Sequence, residues 1–416
     1  MNLFVLSWKY IKGKPLSTAL NVLLLSFGIG IIVVLLLVSQ QVQEKLSENA
    51  SGIDLVVGAK GSPLQIILGS IYHIDYPTGN IPLNEAAKLA RNRLVKNVIP
   101  LALGDSYKSL RIVGSTRGFA ELYGLALDDG VLWADDCEVT LGAAAAQTLS
   151  LAVGDTFFGE HGMADGGEAH DAHAYKVVGI LQPTGKVVDN LILTSIPSVW
   201  LMHGHDEAED GHENLPDTAA MEVLGIPVTP EQLEEKEVTS LLVQYRGPMA
   251  AVQLPRMVNT QSSMQAASPA FETARLFSLI GIGVDVVQGF AYLIIAIAGL
   301  SIFIALYNSL KERQYDLAIM RSLGASRLRL CVHIVMEGVI ITLLGAGVGF
   351  LLGHGVVELL ARFILKGSST GITGLVFLPS ELYILYISLL LGVIASLIPA
   401  INAYKTDISE VLAKGA

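Results

Sequence analysis

The apolar positions of this chain gather into four long runs separated by polar stretches of very unequal length. Leu16–Val38 holds 23 residues without a charge, where about 20 suffice to cross a bilayer as a helix. A second uncharged run lies within Val286–Leu310. A third, Val332–Val357, carries only His333, Glu337 and His354, and a fourth, Leu382–Tyr404, is again uncharged. The first run follows Lys9, Lys12 and Lys14, as a signal peptide would. Its apolar stretch exceeds the ~7–15 residues of a signal core, and SQQVQEKLSENA offers no small-x-small cleavage site, so it reads as a retained anchor. The pattern predicts transmembrane helices at 16–38, 286–310, 332–357 and 382–404. Between them lie an N-terminal segment 1–15, a domain at 39–285, a loop at 311–331, a short outer loop at 358–381 and a tail at 405–416.

The long stretch between the first two runs changes period. Val42 and Leu46 continue a helical stripe beyond the first run, and Pro269–Gly283 reads as a helix entering the second, so two helices would form a stalk. Asp54–Gly58 and Leu241–Tyr245 read as strands, followed by helices at Leu83–Leu94 and Ala250–Asn259. Between these pairs, about Leu110–Trp200 is mostly short strands: RIVGS, CEVTLG, DTFFG, YKVVGIL and NLILTSI. The predicted fold class is an α-helical membrane domain of four transmembrane helices. A large α+β extracytoplasmic domain, a β/α layer split by a β-rich insertion at 110–200, is inserted between spans one and two.

The short loop Lys311–Arg327, KERQYDLAIMRSLGASR, has its own pattern. Leu317, Met320 and Leu323 recur at three-residue spacing, Arg313, Asp316 and Arg321 lie off that stripe, and Gly324 supplies a stop. Such a helix, held outside the bilayer, can lie in a groove on a partner and pass force through the loop. The competing reading is that its Lys and Arg serve only to set topology.

The residue order carries a resemblance. KERQYDLAIMRSLGAS resembles the signature loop of the FtsX/MacB-type ABC transporter permeases, an "ER..E.a..raiGAs" pattern, from Glu312 to Ser326, with Asp316 where that family usually has Glu. VTLGAAAAQTLSLAVGDTF and YKVVGIL followed by DNLIL are similar to two stretches of the MacB-like periplasmic core. PAINAYKTDISEVL (Pro399–Leu412) resembles the family's ending, with Ile408 in place of its Pro. The resemblance implies that the loop is a coupling helix docked on a separate ATPase, with Glu312, Arg313, Asp316, Leu317, Met320, Arg321, Leu323 and Gly324 as coupling residues. It also implies two permease copies, or one with a close relative, on a cytoplasmic ABC ATPase dimer that binds ATP and Mg²⁺. The setting would be a bacterial inner membrane, with a periplasmic partner protein among the roles open to the outer domain.

Composition sharpens this picture. The chain is 52% hydrophobic and 16% charged, with mean hydropathy +0.54, which points to a membrane protein with a sizeable soluble part. Ten Lys and Arg flank the spans at the termini and in 311–331, against two, Arg362 and Lys366, in the other short loop. Positive-inside places both termini and the 311–331 loop in the cytoplasm. Residues 41–285 then face outward with 15 basic and 31 acidic residues, a net of −16, which gives no electrostatic case for nucleic acid. Cys137 and Cys331 fall on opposite sides and cannot pair within one chain.

Small residues recur every fourth position: Gly345, Gly349 and Gly353 in the third span, Ser388, Gly392 and Ser396 in the fourth, Ser301, Ala305 and Ser309 in the second. Such rows mark helix-packing faces, and the third and fourth spans are expected to meet along theirs. Glu337, about one turn into its span, is expected to reach the interface or pair with a loop Arg such as Arg329.

Two further features compete for chemistry. Gly179–Val187 imitates a phosphate loop but has five residues between its glycines and Val187 where Ser or Thr is needed. No nucleotide site belongs to this chain on that reading, and no catalytic residue is assigned. His161, His170 and His173 lie in one Gly- and acid-rich stretch, and His203, His205 and His212 in another. Imidazoles among carboxylates suit weak binding of zinc or another divalent metal, weighed evenly against solvated loops. The commitment is to a permease subunit that couples a separate ATPase to its outer domain, for efflux, lipoprotein extraction or partner activation. The alternative is a membrane receptor or metal-binding protein without an ATPase.

Overall fold

The computed structural model describes residues 3–161, 173–203, 221–363 and 371–405. They form two compact units. One comprises the described residues of 3–42, 280–363 and 372–405, and the other those of 43–279 with Gly371.

The chain opens with α1 (Leu3–Gly13) and α2 (Pro15–Asn49). Pro15 starts α2, where a missing N–H is harmless. The helix runs through the first apolar stretch to Asn49, taking in Val42 and Leu46. α1 was not anticipated within segment 1–15.

The inserted domain begins with β1 (Leu55–Ala59), α3 (Pro63–Ser70), β2 (Ile81–Pro82), α4 (Leu83–Ala90), β3 (Val95–Tyr107) and β4 (Leu110–Ser115). There follow α5 (Arg117–Tyr123), β5 (Leu127–Gly130), β6 (Glu138–Leu141), α6 (Ala143–Leu149), β7 (Thr156–Phe157) and β8 (Glu160–His161). Then come β9 (Tyr175–Leu181), β10 (Ile192–Thr194), α7 (Ile196–His203), β11 (Met221–Val223), β12 (Ile226–Val228) and α8 (Pro230–Glu235). The domain closes with β13 (Glu237–Val238), β14 (Ser240–Tyr245), α9 (Pro248–Gln261) and β15 (Met264–Ala267).

The main sheet has the order β15-β1-β14-β3-β4-β10-β6-β9-β5, with β7 on β9 and β8 on β3. Alternation explains its layers: Leu55, Val57, Leu241 and Val243 point to one face with α4 and α9, and Val56 and Leu242 to the other with α3 and α5. Strands covered on both faces read as unbroken apolar runs, as LVV and LLV do here. The β-rich stretch after 110 does not stand apart as a separate insertion. The long strand β3 pairs with β14 through Val95–Leu101 and with β4 through Leu101–Tyr107, so one sheet runs through both parts.

The membrane unit is completed by α10 (Pro269–Glu312), α11 (Gln314–Ser322), α12 (Arg327–Phe363) and α13 (Glu381–Lys405). With α2, the helices α10, α12 and α13 are long and apolar enough to cross a membrane. The glycine rows show which helices meet. A Cβ on Gly345, Gly349 or Gly353 would lie 2.8 Å from Leu25, 2.8 Å from Ile29 or 2.6 Å from Val33, respectively. That row therefore faces α2 and its Leu25–Ile29–Val33 ridge, not α13 as expected. α13 meets α12 one step nearer Arg327: Gly392 packs on Thr342, and Ser396 Cβ lies 2.9 Å from where a Cβ of Gly338 would be. Ser388 and Ser396 turn their hydroxyls back to Ile384 O and Gly392 O, so the face stays tight without cross-helix bonds. Ser301 donates to Asn21 Oδ1 at 2.6 Å, joining α10 to α2.

Candidate coupling site

α10 ends at Glu312, and one residue, Arg313, with φ −108° and ψ 14°, breaks the helix before α11. At the other end of α11, Gly324 takes φ +98°. Its N–H bonds to Arg321 O at 2.9 Å, while Ala325 N–H reaches Met320 O at 3.0 Å. This paired closure needs a left-handed residue, which is why glycine ends the helix.

The helix has two apolar faces, and the chain buries one of them. Leu317 is 5% exposed, and with half-buried Met320 it packs against Leu310, Leu330, Ile334, Ala400 and Ala403 from α10, α12 and α13. The expectation that Leu317 and Met320 form an outward stripe is therefore corrected: these side chains hold α11 to its own membrane unit. The outward apolar stripe is Tyr315, Ile319 and Leu323, at four-residue spacing, with Leu323 82% exposed and Asp316 and Ser322 beside it. Glu312 and Gly324 are also exposed, and Arg321 is half-buried.

Arg313 is held from two sides. Its guanidinium lies 3.9 Å from the centre of the Tyr10 ring on α1, within the range of a cation–π contact. On the other side Glu337 Oε2 is 3.6 Å away, and both side chains are largely buried. Glu337 thus pairs with Arg313 and not with Arg329. Burial raises the Tyr10 hydroxyl's pKa above its usual value; Asp316 and Glu337 push the same way and Arg313 opposes. The ring stays neutral and keeps its electron-rich face for the cation. Around this contact, Ser7 Oγ lies 2.8 Å from His333 Nδ1, the Tyr10 and His333 rings are 5.5 Å apart, and Lys14 pairs with Glu312. Ser7 and Tyr10 were not anticipated. Their signal is the four-residue spacing of buried Ser7 and Ile11 in a segment that looks too short to matter.

The opposite end of α12 is built differently. Glu358 Oε2 accepts from Gly374 N–H at 3.0 Å and Thr373 Oγ1 at 2.9 Å, and its Oε1 accepts from Arg362 Nε at 2.6 Å. Gln41 on α2 exchanges two bonds of 2.9 Å with the Thr373 backbone. His354 places Nδ1 2.6 Å from Gly374 O and Nε2 3.0 Å from the buried Glu381 Oε2, whose Oε1 accepts from Leu378 N–H at 3.1 Å.

The glycine-rich decoy is filled by its own chain: Asp189, 2% exposed, accepts from Thr184 N–H and Gly185 N–H at 2.9 and 2.8 Å. Those are the amides a phosphate would need. Of the six histidines, His170, His205 and His212 lie outside the described residues. His161 ends β8 beside Asp105 of β3, His173 precedes β9, and His203 ends α7. Among the described residues, no group of three or more His, Cys, Asp or Glu is placed to hold a metal.

Comparison with known proteins follows this division of the chain. A family model described as MacB-like periplasmic core domain matches residues 18–249, and one described as FtsX-like permease C-terminal matches residues 289–408. A relative from Bacillus subtilis (strain 168), "Uncharacterized ABC transporter permease YknZ", is 28% identical over 153 residues. That match spans 37% of this chain and 37% of the relative, so little more than a third of the relative's length is covered. The periplasmic region of MacB from Actinobacillus actinomycetemcomitans is similar at 12% identity, covering 56% of this chain and 97% of that one, with a TM-score of 0.33. The extracellular domain of the noncanonic transporter YknZ from Gram-positive bacteria is similar at 12% identity, covering 52% and 99%, with a TM-score of 0.29.

Proposed function

The chain belongs to the FtsX/MacB-like ABC transporter permeases, and from that premise we propose that a separate ATPase drives its inserted domain through α11. The carrying observation is the division of α11 into a face docked on α10, α12 and α13 and a free stripe of Tyr315, Ile319 and Leu323. An ATPase groove that receives the free stripe moves the docked face with it. Asp316 at the edge and Leu323 at the end of the stripe make the polar rim and apolar anchor of such a contact. Leu317, Met320 and Arg313 act one layer inside, by carrying the push to the spans.

The excess of Lys and Arg around the termini and α11 supports a cytoplasmic placement of these parts in a bacterial inner membrane. The working assembly is a cytoplasmic ATPase dimer, which binds ATP and Mg²⁺, with two permease copies or one copy and a close relative. Its output at the inserted domain is efflux of a peptide or small molecule, extraction of a lipoprotein, or activation of a periplasmic partner. Weak zinc binding by the six histidines of the two acid-rich stretches is a peripheral part of the proposal. Equal calorimetric heats for the full chain with and without His→Ala at all six would remove it.

The test is capture of the ATPase by the full-length chain in detergent. Wild type and Leu317→Ala should retain a nucleotide-binding subunit identified by mass spectrometry. Ile319→Asp combined with Leu323→Asp should lose it without losing membrane insertion. Wild type that captures no such subunit would favour a receptor without an ATPase.

A further inference from the structure

We propose that Arg313 is the joint through which α11 moves α1, and with it α2, and that Tyr10 and Glu337 are the positioning residues of that joint. The inference rests on the reading that an ATPase pushes on α11. It concerns where the push goes next.

Arg313 joins α11 directly to the helix that precedes it in the chain, α10. α10 starts at Pro269, directly after β15, so motion of α11 enters one of the two helices that flank the inserted domain without further parts. The other flanking helix, α2, has no covalent route to α11. α1 supplies a physical one. Its junction with α2 is stiff: Lys14 N–H bonds to Ile11 O at 3.3 Å, and Thr18 N–H to Lys14 O at 3.1 Å. Thr18 Oγ1 also donates to Ile11 O at 3.2 Å. Backbone and side-chain bonds thus cross the Gly13–Pro15 bend, and α1 and α2 turn together.

Polar contacts join α1 and the residue after it to the α11 side of the unit: Ser7 meets His333, Lys14 at the α1–α2 junction pairs with Glu312, and Tyr10 faces Arg313. Only the last touches the hinge residue itself. An arginine held by a ring face and by a carboxylate at 3.6 Å is tethered without a single required angle. The attraction to a ring persists across its face, whereas a hydrogen bond weakens steeply off its axis. A cavity of about 20 Å³ beside Arg313, bounded by Ser309, Leu310 and Ile334, leaves the guanidinium room to shift. The contact can therefore change its geometry during a stroke without coming apart.

The experiment uses the full chain reconstituted with its captured ATPase, with Cys137 and Cys331 changed to Ser. Spin labels at Ser47→Cys on α2 and Leu279→Cys on α10 report whether the two helices move against each other when ATP is added. Wild type and Tyr10→Phe, which keeps the ring, should show the same shift in distance. Tyr10→Leu, Arg313→Lys and Glu337→Gln should lose the shift while the ATPase stays bound and continues to hydrolyse ATP. A wild-type shift in Tyr10→Leu and Arg313→Lys overturns the inference, and so does the absence of any shift in wild type. Failure of wild type to retain an ATPase overturns the earlier reading instead, so the two failures are distinct. Bound ATPase in the Tyr10→Leu sample guards against simple misfolding.

Discussion

The two ends of α12 solve the same problem, fastening a neighbouring segment to the membrane unit, with different chemistry. At the Thr373 end, Glu358, Glu381, His354 and Gln41 all bond to backbone or to one another at 2.6–3.1 Å. Gly374 packs so closely on His354 O that no side chain fits. At the other end Ser7 also meets His333 at 2.8 Å and Lys14 pairs with Glu312, but Arg313 itself, the residue leading into α11, is fastened by a ring face at 3.9 Å and a carboxylate at 3.6 Å. Bonds to backbone fix position and angle together. Ring faces and longer ion pairs fix position alone. The difference teaches that one end of the helix is clasped and the other is jointed, and the joint is the end that carries α11.

The sharpest way to break this comparison is to remove one carboxylate from each end. Glu381→Ala strips Leu378 N–H and His354 of their partner in a fully buried place, and should cost about 3–5 kcal/mol, seen as a large loss of thermal stability in detergent. Glu337→Ala leaves Arg313 with Tyr10 and a slightly exposed guanidinium, and should cost less, about 1–3 kcal/mol. Its main effect should be on coupling, with ATP hydrolysis no longer responsive to the permease. A Glu337 variant that is the less stable of the two, yet fully coupled, would reverse the assignment of clasp and joint.

What was legible beforehand divides along similar lines. The spans, the strands of β1, β9 and β14, and the helical nature of α11 all follow from local periodicity. The outward face of α11 does not. Tyr315, Ile319 and Leu323 repeat as regularly as Leu317 and Met320, and periodicity cannot say which stripe its own chain will cover. The glycine row of α12 announced a close contact but not its partner, because pairing Gly349 with Ile29 is a long-range choice. α1 was hidden because its buried positions include the polar residue Ser7 and because it spans only three turns. β3 was hidden by Pro100 and Gly104, which interrupt an otherwise apolar strand.

α2 reaches both ends, with Lys14 immediately before it near one and Gln41 on it near the other, and the glycine row holds it to α12 between them. Gly349→Leu forces a side chain against Ile29 and Ser26 O, where a Cβ alone would already sit 2.8 Å away. Overpacking of this kind costs about 1–3 kcal/mol. Cysteine cross-linking between α2 and α12 should fall while that between α12 and α13 is kept. The reverse pattern would put the row against α13 and detach α2 from the comparison.

The smallest effects give the finest test, because they remove one hydroxyl from each end. Thr373 Oγ1 donates to Glu358 Oε2 and accepts from Leu375 N–H at 3.2 Å, so Thr373→Val removes two directed bonds and leaves a carboxylate under-satisfied. The loss should be about 1 kcal/mol, measurable as a modest fall in melting temperature with coupling to ATP unchanged. Tyr10→Phe removes a hydroxyl from a side chain whose recorded contacts, with Arg313 and His333, are made by the ring. It should change stability by less than about 0.5 kcal/mol and leave coupling intact. If Tyr10→Phe proved the more damaging substitution, the hydroxyl would be part of the fastening, and the Arg313 end would be a second clasp built on directed bonds.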